Sequence, residues 1–173
     1  EGGKHHIGEL IKALGKVESV NKYPLVDIGA GSAHLFESEV KTLRDMGISC
    51  AIIGVDPYNL PEKKYENINA ETSNKDGLTH LMARDRASCD VMTFQLDEHI
   101  LDNDKYVVAL AEEIFRVVPE DGFYLSVASN SLEAVCGRLF PFKTKITSGT
   151  IFFKKEPTNK TENKYLIYFS PIL

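Results

Sequence analysis

The sequence predicts an α/β fold: a doubly wound, mostly parallel seven-stranded sheet with helices on both faces and a C-terminal antiparallel hairpin. Short apolar runs alternate with segments of helical periodicity from about residue 24 to residue 140, and parallel strands need such crossover helices between them. Two β-rich segments, 150–154 and 165–169, follow with a polar stretch between them. Adjacent strands joined by a polar loop indicate an antiparallel hairpin at one edge of the sheet.

The first half of the chain contributes two helices and two strands to this prediction. Apolar residues recur at helical spacing between residues 5 and 19, which predicts an amphipathic helix. A buried strand follows over Pro24–Ile28, and a second helix begins near Ser32 and ends near Gly47, since glycine is typical of helix C-termini. The apolar run Cys50–Val55 is the next strand.

The second half repeats the pattern, with a weaker signal at its start. A short third strand is predicted near residues 66–72, and Leu78, Leu81 and Met82 mark a small helix after it. The remaining elements are a strand over 91–96, a helix over 107–118, a turn over 119–122, a strand over 123–128 and a helix over about 131–140. Right-handed crossovers between these strands place helices on both faces of the sheet.

Size and composition favour one domain and disfavour several function classes. The 173 residues, 43% of them hydrophobic, suit a single domain over 1–173, which we divide into an N-terminal helical lid over 1–22 and a core over 23–173. The net charge of −5 and the lack of a long basic block do not favour an extended nucleic-acid surface. No apolar run approaches the roughly 20 residues of a membrane helix, so we expect no membrane partner and a cytoplasmic location.

The cysteines are expected to be structural. Cys50, Cys89 and Cys136 lie far apart, and no CxxC spacing occurs. Reduced thiols in an intracellular protein are the favoured interpretation, and no metal site is predicted. The sequence carries no prediction of the oligomeric state.

Two glycines and several polar residues follow the predicted strands, where ligands bind in doubly wound sheets. Gly29 and Gly31 permit backbone angles that other residues resist, and they lack the Cβ that would keep a ligand from the main chain. Backbone N–H groups at the next helix start then face a polar ligand. A tight turn without a ligand is an equally good interpretation of this pair alone. The polar residues at or near strand ends are Asp27, Asp56, Gln95 and Ser129.

Asp56 at the end of the second predicted strand favours a nucleotide-type ligand. A carboxylate there can accept both hydroxyl protons of a ribose, although a turn-forming aspartate before Pro57 is the alternative. A dinucleotide fingerprint needs a third glycine where His34 stands, which disfavours an NAD-binding oxidoreductase. S-Adenosylmethionine has no pyrophosphate, and its charged methionine end needs an acid nearby, which Asp27 supplies.

These motifs carry a family resemblance. VDIGAGSAH at 26–34 resembles motif I of the class I S-adenosylmethionine-dependent methyltransferases, whose core is D-x-G-x-G. IIGVDP at 52–57 resembles the second motif of that family. The resemblance implies that Asp27, Gly29 and Gly31 bind the cofactor and that Asp56 binds its ribose.

Three further segments extend the resemblance over most of the chain, from about residue 23 onward. NKDGLTHL at 74–81 is similar to the third motif, which implies that Asp76 binds the adenine amino group and that the Gly77 backbone meets the ring. CDVMTFQL at 89–96 is similar to the fourth motif and places Gln95 beside the methyl-transfer region. The third segment, at 112–129, resembles a helix, turn and strand written R-V-L-x-P-G-G in many members, although its turn here reads P-E-D-G.

The resemblance implies an enzyme, an S-adenosylmethionine-dependent methyltransferase with S-adenosylmethionine as its cofactor and an unidentified methyl acceptor. A small-molecule acceptor is favoured. The alternative is a catalytically inactive methyltransferase-like module that binds a partner, because function resides in the site and not in the fold. No N-P-P-Y or D-P-P-Y follows the fourth strand, which disfavours methylation of amino groups on DNA bases or glutamine.

The loop over 95–104 would face the transferred methyl group. His99 is the candidate catalytic base, with a solvated surface histidine as the alternative interpretation. Asp97 or Glu98 could hold a cationic acceptor. Outside this loop, Tyr58 either stacks near the adenine or covers the core.

Overall fold

The computed structural model describes residues 14, 15, 17–94, 96, 98–146, 149–156 and 167–169, and for residues 98 and 167–169 the description covers the backbone. Nine strands and five helices lie within these ranges. The strands are β1 Leu25–Ile28, β2 Ile52–Val55, β3 Lys63–Tyr65, β4 Ala70–Ser73, β5 Asp90–Phe94, β6 Tyr124–Val127, β7 Phe142–Ile146, β8 Gly149–Phe153 and β9 Ile167–Phe169. The helices are α1 Ala33–Asp45, α2 Gly77–Met82, α3 Glu98–Leu101, α4 Asp104–Val117 and α5 Asn130–Leu139.

All nine strands form one sheet in the order β3-β4-β2-β1-β5-β6-β8-β7-β9. The central strands β4, β2, β1, β5 and β6 are parallel, and the strands outside them pair antiparallel. The chain builds outward from β1 in one direction and then, from β5, in the other, so the sheet is doubly wound as predicted. The two strands that the sequence did not predict are β3 and β7.

The C-terminal antiparallel hairpin is present, but the expected pairing of 150–154 with 165–169 was wrong. The hairpin joins β7 to β8, with Ile146 opposite Gly149. β9 pairs with the other edge of β7, so β7 separates the two segments that were expected to be neighbours. The physical signal for β7 is the alternation in FKTKI after Pro141, which has the period of two that a strand requires.

Helix α1 begins and ends where the sequence predicted. The Ser32 hydroxyl accepts the Leu35 N–H at 3.3 Å as the N-cap. Gly47, with φ of +88°, follows the last turn in the left-handed conformation that favours glycine. Between these ends, Phe36, Val40 and Leu43 recur at helical spacing and are fully buried.

Hydrophobic clusters on both faces confirm the predicted layering. Helix α1 packs on one face with Leu25 and Ile52 of the sheet, and Leu14 and Val17 join the same cluster. Helices α2, α4 and α5 cover the opposite face, where Val26 and Val91 point. Most of the predicted N-terminal helix over 5–19 lies outside the described residues.

The remaining predicted elements occur with shifted ends. The weak third strand near 66–72 is β4 at Ala70–Ser73, preceded by a 3₁₀ turn over Glu66–Ile68. The strand predicted over 91–96 covers Asp90–Phe94. Helices α4 and α5 match the predicted helices to within a few residues, and the short helix α3 was not predicted.

The three cysteines are buried and unpaired, as the sequence suggested. Burial raises the pKa of each thiol, so all three stay protonated at neutral pH. Along the ranges given above, no helix has the length and apolarity needed to cross a bilayer.

Replacing Gly149 by alanine is expected to destabilise the β6–β8 junction. An added Cβ would clash with the Ser126 carbonyl oxygen, which belongs to the paired backbone and cannot move without breaking the ladder. We expect a loss of about 2–3 kcal/mol and a Tm lower by about 5–10 °C in thermal denaturation. Gly137→Ala in α5 is the matched control, since its Cβ meets only the Lys143 Nζ at 3.7 Å and alanine favours the helix by about 1 kcal/mol. Equal Tm values for the two variants would contradict this packing.

Candidate functional site

The residues predicted to bind a ligand lie after neighbouring strands at one edge of the sheet. Ile28 at the end of β1 pairs with Val55 at the end of β2, and Val55 pairs with Ser73 at the end of β4. The chain reverses its direction of building beside β1, which is the position of the ligand crevice in doubly wound sheets. The segments that begin at Gly29, Asp56 and Asn74 therefore leave the same edge together.

The glycine loop connects β1 to α1. Gly29 and Gly31 have φ values of +75° and +80°, in the left-handed region that favours glycine. The Gly29 N–H donates to the Val55 carbonyl oxygen at 2.8 Å, which holds the loop against β2. Among the described residues, a Cβ at Gly31 would meet only the end of the Leu35 side chain, at 3.8 Å. The main chain at Gly31 is thus open on the side where a side chain would stand.

Asp56 joins this glycine loop to the turn after β2. Its Oδ2 accepts the Gly31 N–H at 3.1 Å, and its Oδ1 accepts the N–H groups of Tyr58 and Asn59 at 3.0 and 3.1 Å. The Asn59 Nδ2 lies 3.2 Å from both carboxylate oxygens. The aspartate therefore forms the turn that the sequence offered as one interpretation, and it also lies beside the predicted ligand loop.

Tyr58 does not cover the core. Its side chain is 89% exposed, next to Asp56, so of the two interpretations that the sequence offered, the core-covering one was wrong. An exposed aromatic ring beside a strand-end acid is available for stacking on a planar group. That role stays a prediction.

Asp27 lies under the glycine loop and faces a second acid. It is 2% exposed, and Glu39 of α1 is 8% exposed. The two carboxyl groups interact with each other, and among the described residues the buried Asp27 Oδ1 has no hydrogen-bond partner. Burial raises the pKa of Glu39 to about 7, and burial together with the Glu39 and Asp56 carboxyls raises the pKa of Asp27.

Asp76 caps helix α2, and its carboxylate is already hydrogen-bonded. Oδ1 accepts the Thr79 N–H at 3.0 Å and the Tyr106 hydroxyl at 3.3 Å, and Oδ2 accepts the Thr79 hydroxyl at 2.6 Å. Partial burial opposes ionisation, but these hydrogen bonds prevail and lower the pKa of Asp76. A Cβ at Gly77 would lie 2.5 Å from the Ile28 Cγ2, so this glycine lets α2 approach the end of β1.

The loop after β5 contains the other predicted residues. Gln95, Asp97 and the side chain of Glu98 lie outside the described part of the chain. The Leu96 Cδ2 lies 2.8 Å from the position that a Cβ on Gly29 would take, so Leu96 packs over the loop. His99 is exposed on α3, and its catalytic role stays a prediction.

Two other residues named by the sequence are now placed. His34 is exposed in the first turn of α1. Ser129 is fully buried after β6, and its hydroxyl donates to the Val127 carbonyl oxygen at 3.4 Å. Ser129 thus has a local partner, although the sequence placed it with the other strand-end residues.

Sequence reasoning missed three residues of this site: Glu39, Asn59 and Tyr106. A signal existed for Glu39, because an acid between Phe36 and Val40 falls on the apolar stripe of α1 and is unusual there. Asn59 stands three residues after Asp56, the spacing of a side chain that closes an Asx-type turn. Nothing in the sequence relates Tyr106 to Asp76, because they come from different helices.

A cavity of about 500 Å³ opens at the amino-terminal edge of the strands. Pro24, Ala51 and Asn69, which precede β1, β2 and β4, line it together with Lys64 and Arg84. This cavity lies away from the glycine loop, at the edge where ligands do not bind in doubly wound folds. We therefore take the carboxyl edge as the candidate site.

No family model and no curated protein matches the sequence significantly. Among solved structures, the chain aligns with human N-acetylserotonin methyltransferase in complex with SAM at a TM-score of 0.52 and 15% identity, covering 89% of this chain and 57% of that one. It aligns with MycE methyltransferase from the mycinamycin biosynthetic pathway at a TM-score of 0.56 and 11% identity, covering 91% and 50%. The chain thus spans about half the length of either protein. These likenesses show the class I methyltransferase fold that the motifs indicated.

Proposed function

We propose that this chain is an S-adenosylmethionine-dependent methyltransferase that binds its cofactor at the carboxyl edge of β1, β2 and β4. The observation that carries the proposal is the hydrogen bond from the Gly31 N–H to the Asp56 Oδ2 at 3.1 Å. It joins a glycine loop with open main chain to a strand-end acid, at the point where a doubly wound sheet takes its ligand. The class I methyltransferase fold is consistent with that assignment.

The residues present fit the cofactor. Asp56 offers a carboxylate for the ribose hydroxyls, and the open space at Gly31 leaves room for the methionine portion. The buried Asp27 carboxyl, whose Oδ1 has no hydrogen-bond partner among the described residues, offers negative charge near that portion. Asp76 and Gly77 would meet the adenine, with the exposed Tyr58 ring available for stacking.

When bound, the cofactor supplies an activated methyl group on a sulfonium. The chain then has to align the acceptor with that methyl group, and positioning of this kind accounts for much of the acceleration of a displacement reaction. A base is needed only for an acceptor that must lose a proton, and His99 on α3 is our candidate. Gln95 would lie beside the methyl-transfer region, and Asp97 or Glu98 would hold a cationic acceptor.

We favour a small molecule as the methyl acceptor. The two aligned enzymes are consistent with this choice: one is named for N-acetylserotonin, and the other was solved with mycinamycin VI. In this proposal, residues 1–22 form a lid over the core at 23–173. We expect the protein to be located in the cytoplasm.

A second candidate function is a methyltransferase-like module that binds a partner and transfers nothing. The observation that favours it is the turn after β2, where the Asp56 Oδ1 already accepts the Tyr58 and Asn59 backbone N–H groups. Asn59 also lies against both carboxylate oxygens. A ribose would have to displace the Asn59 amide or share the oxygens with it.

Titration calorimetry with S-adenosylhomocysteine distinguishes the two functions. The enzyme proposal expects one site with a Kd of about 1–100 µM, in the range of ordinary enzyme affinities, and no heat from NAD under the same conditions. The chain is then incubated with S-adenosylmethionine and a panel of small nucleophiles. Mass spectrometry is expected to reveal a product that is heavier than its nucleophile by one CH₂ unit, since a methyl group replaces a hydrogen. Absence of any S-adenosylhomocysteine binding would favour the partner-binding module.

A further inference from the structure

Two carboxyl groups, not one, are buried between β1 and α1, the two elements that the glycine loop connects. Asp27 belongs to β1, two residues before Gly29, and Glu39 belongs to the buried face of α1. Asp27 shares its face of β1 with Leu25, which α1 covers, so the two buried carboxyl groups lie at the same strand–helix interface and interact with each other. Among the ion pairs of the described residues, none brings a lysine or arginine to either acid.

A pair of this kind retains a proton. A hydrogen bond between two carboxyl groups needs a proton on one of them, and two adjacent buried carboxylates repel each other strongly. Asp56, after β2, is a further charged group that acts on Asp27, and its negative charge opposes ionisation of the pair. Burial raises the pKa of Glu39 to about 7, so Glu39 keeps its proton below about that pH.

We propose that Asp27 and Glu39 share one proton beneath the glycine loop and release it when a ligand with a cationic amino group binds above them. This inference rests on the proposed function, because the methionine end of the cofactor carries such an amino group. Glu39 is then a positioning residue: it acts through Asp27 and sets the charge that the ligand meets.

Thermodynamic linkage gives the direction of the effect. A cation beside the pair stabilises its fully ionised form, so binding lowers the affinity of the pair for its proton. The same coupling must act in reverse, so loss of the proton strengthens ligand binding. Affinity should therefore rise with pH between about 6 and 8, by at most about tenfold per pH unit for one proton released.

The first test needs no ligand. Because the folded state holds a proton that the unfolded chain releases near its ordinary pKa of 4.5, the contribution of Glu39 to stability declines as pH rises from about 4.5 to about 7. Glu39→Gln keeps a hydrogen-bond partner for Asp27 without the shared proton. Its Tm should therefore rise relative to wild type as pH goes from 5 to 8. Glu37 is on the same helix but is paired with Lys41 at the surface. The Tm of Glu37→Gln should therefore change with pH as that of wild type does between pH 5 and pH 8.

The second test measures the proton itself. S-Adenosylhomocysteine carries the amino group, whereas 5′-methylthioadenosine keeps the adenosine and lacks it. Calorimetry at pH 7 in buffers of different ionisation enthalpy should show a net release of up to about half a proton for S-adenosylhomocysteine, because a group with a pKa of about 7 is half protonated at that pH. Methylthioadenosine should release little or none, and Glu39→Gln should remove the release seen with S-adenosylhomocysteine.

The outcomes separate this inference from the function on which it rests. Binding of S-adenosylhomocysteine with equal proton exchange in wild type and Glu39→Gln would overturn the proton-sharing pair and leave the cofactor site intact. A Glu39→Gln variant whose Tm follows wild type across the pH range would overturn it as well. Failure of both adenosyl ligands to bind would overturn the proposed function, and the proton release with it.

Discussion

Replacing Gly31 by valine is expected to lower the affinity for S-adenosylhomocysteine by at least about 1,000-fold, while the domain stays folded. The added side chain would enter the space beside the glycine loop, where, within the described part of the chain, its Cβ meets only Leu35. The proposed ligand needs that space for its methionine portion. The left-handed backbone at φ +80° adds a strain of about 1–2 kcal/mol, which is small enough for the fold to survive.

Gly47→Val separates the effect of strain from the effect of blocking the ligand. Gly47 has a similar φ of +88° and nothing within 4 Å of its Cβ position, but it ends α1 far from the loop. Both variants should lose a few degrees of Tm, and only Gly31→Val should lose binding in calorimetry. If valine leaves too little folded protein, the alanine variants at both positions allow the same comparison. Normal ligand affinity in a folded Gly31 variant would show that the loop does not hold the cofactor.

Asp56→Ala is expected to weaken S-adenosylhomocysteine binding by at least about 100-fold. A carboxylate that accepts two ribose hydroxyls contributes about 1.5–3 kcal/mol for each charge-assisted hydrogen bond. The substitution also frees the Gly31 N–H and the backbone N–H groups of Tyr58 and Asn59, so the glycine loop loses its connection to the turn. Isothermal calorimetry with methylthioadenosine should show a similar loss, because the ribose is common to both ligands.

Asn59→Ala is the matched control for Asp56. It removes the amide that lies 3.2 Å from both carboxylate oxygens but keeps the carboxylate and the backbone N–H groups of the turn. We expect affinity equal to or above that of wild type, because the ribose then has no competitor for Asp56. A loss of affinity in Asn59→Ala as large as that in Asp56→Ala would mean that the turn, and not the charge, is what binding requires.

The parts of the fold that could be predicted are those with strong local signals. The α1 boundaries follow from a Ser32 cap and a Gly47 stop, and β1 and β2 follow from apolar runs that end in polar residues. Of the two missed strands, β7 carries the alternation of a strand in FKTKI, whereas β3 does not. A three-residue strand such as Lys63–Tyr65 has little pattern of its own, and its existence depends on pairing with β4.

In the candidate site, too, the residues with local sequence signals could be predicted, and those whose contacts depend on tertiary packing could not. Gly29, Gly31 and Asp56 could be placed together because each follows a neighbouring parallel strand, and the Gly31–Asp56 hydrogen bond confirms that proximity. The partner of Asp27 could not be predicted from the sequence, because the contact with Glu39 depends on how α1 lies on the sheet. The same holds for Asp76, whose contact with Tyr106 joins two helices that are distant in sequence.

A crystal structure of the chain with S-adenosylhomocysteine would show whether the carboxyl edge of β1 and β2 holds the cofactor. We expect the ribose hydroxyls within hydrogen-bond distance of Asp56, the Asn59 amide displaced or shared, and the homocysteine amino group near Gly31 and Asp27. The opposite result would be a bound ligand elsewhere, such as in the cavity lined by Pro24 and Arg84, with the Asp56 contacts to Gly31 and Asn59 unchanged.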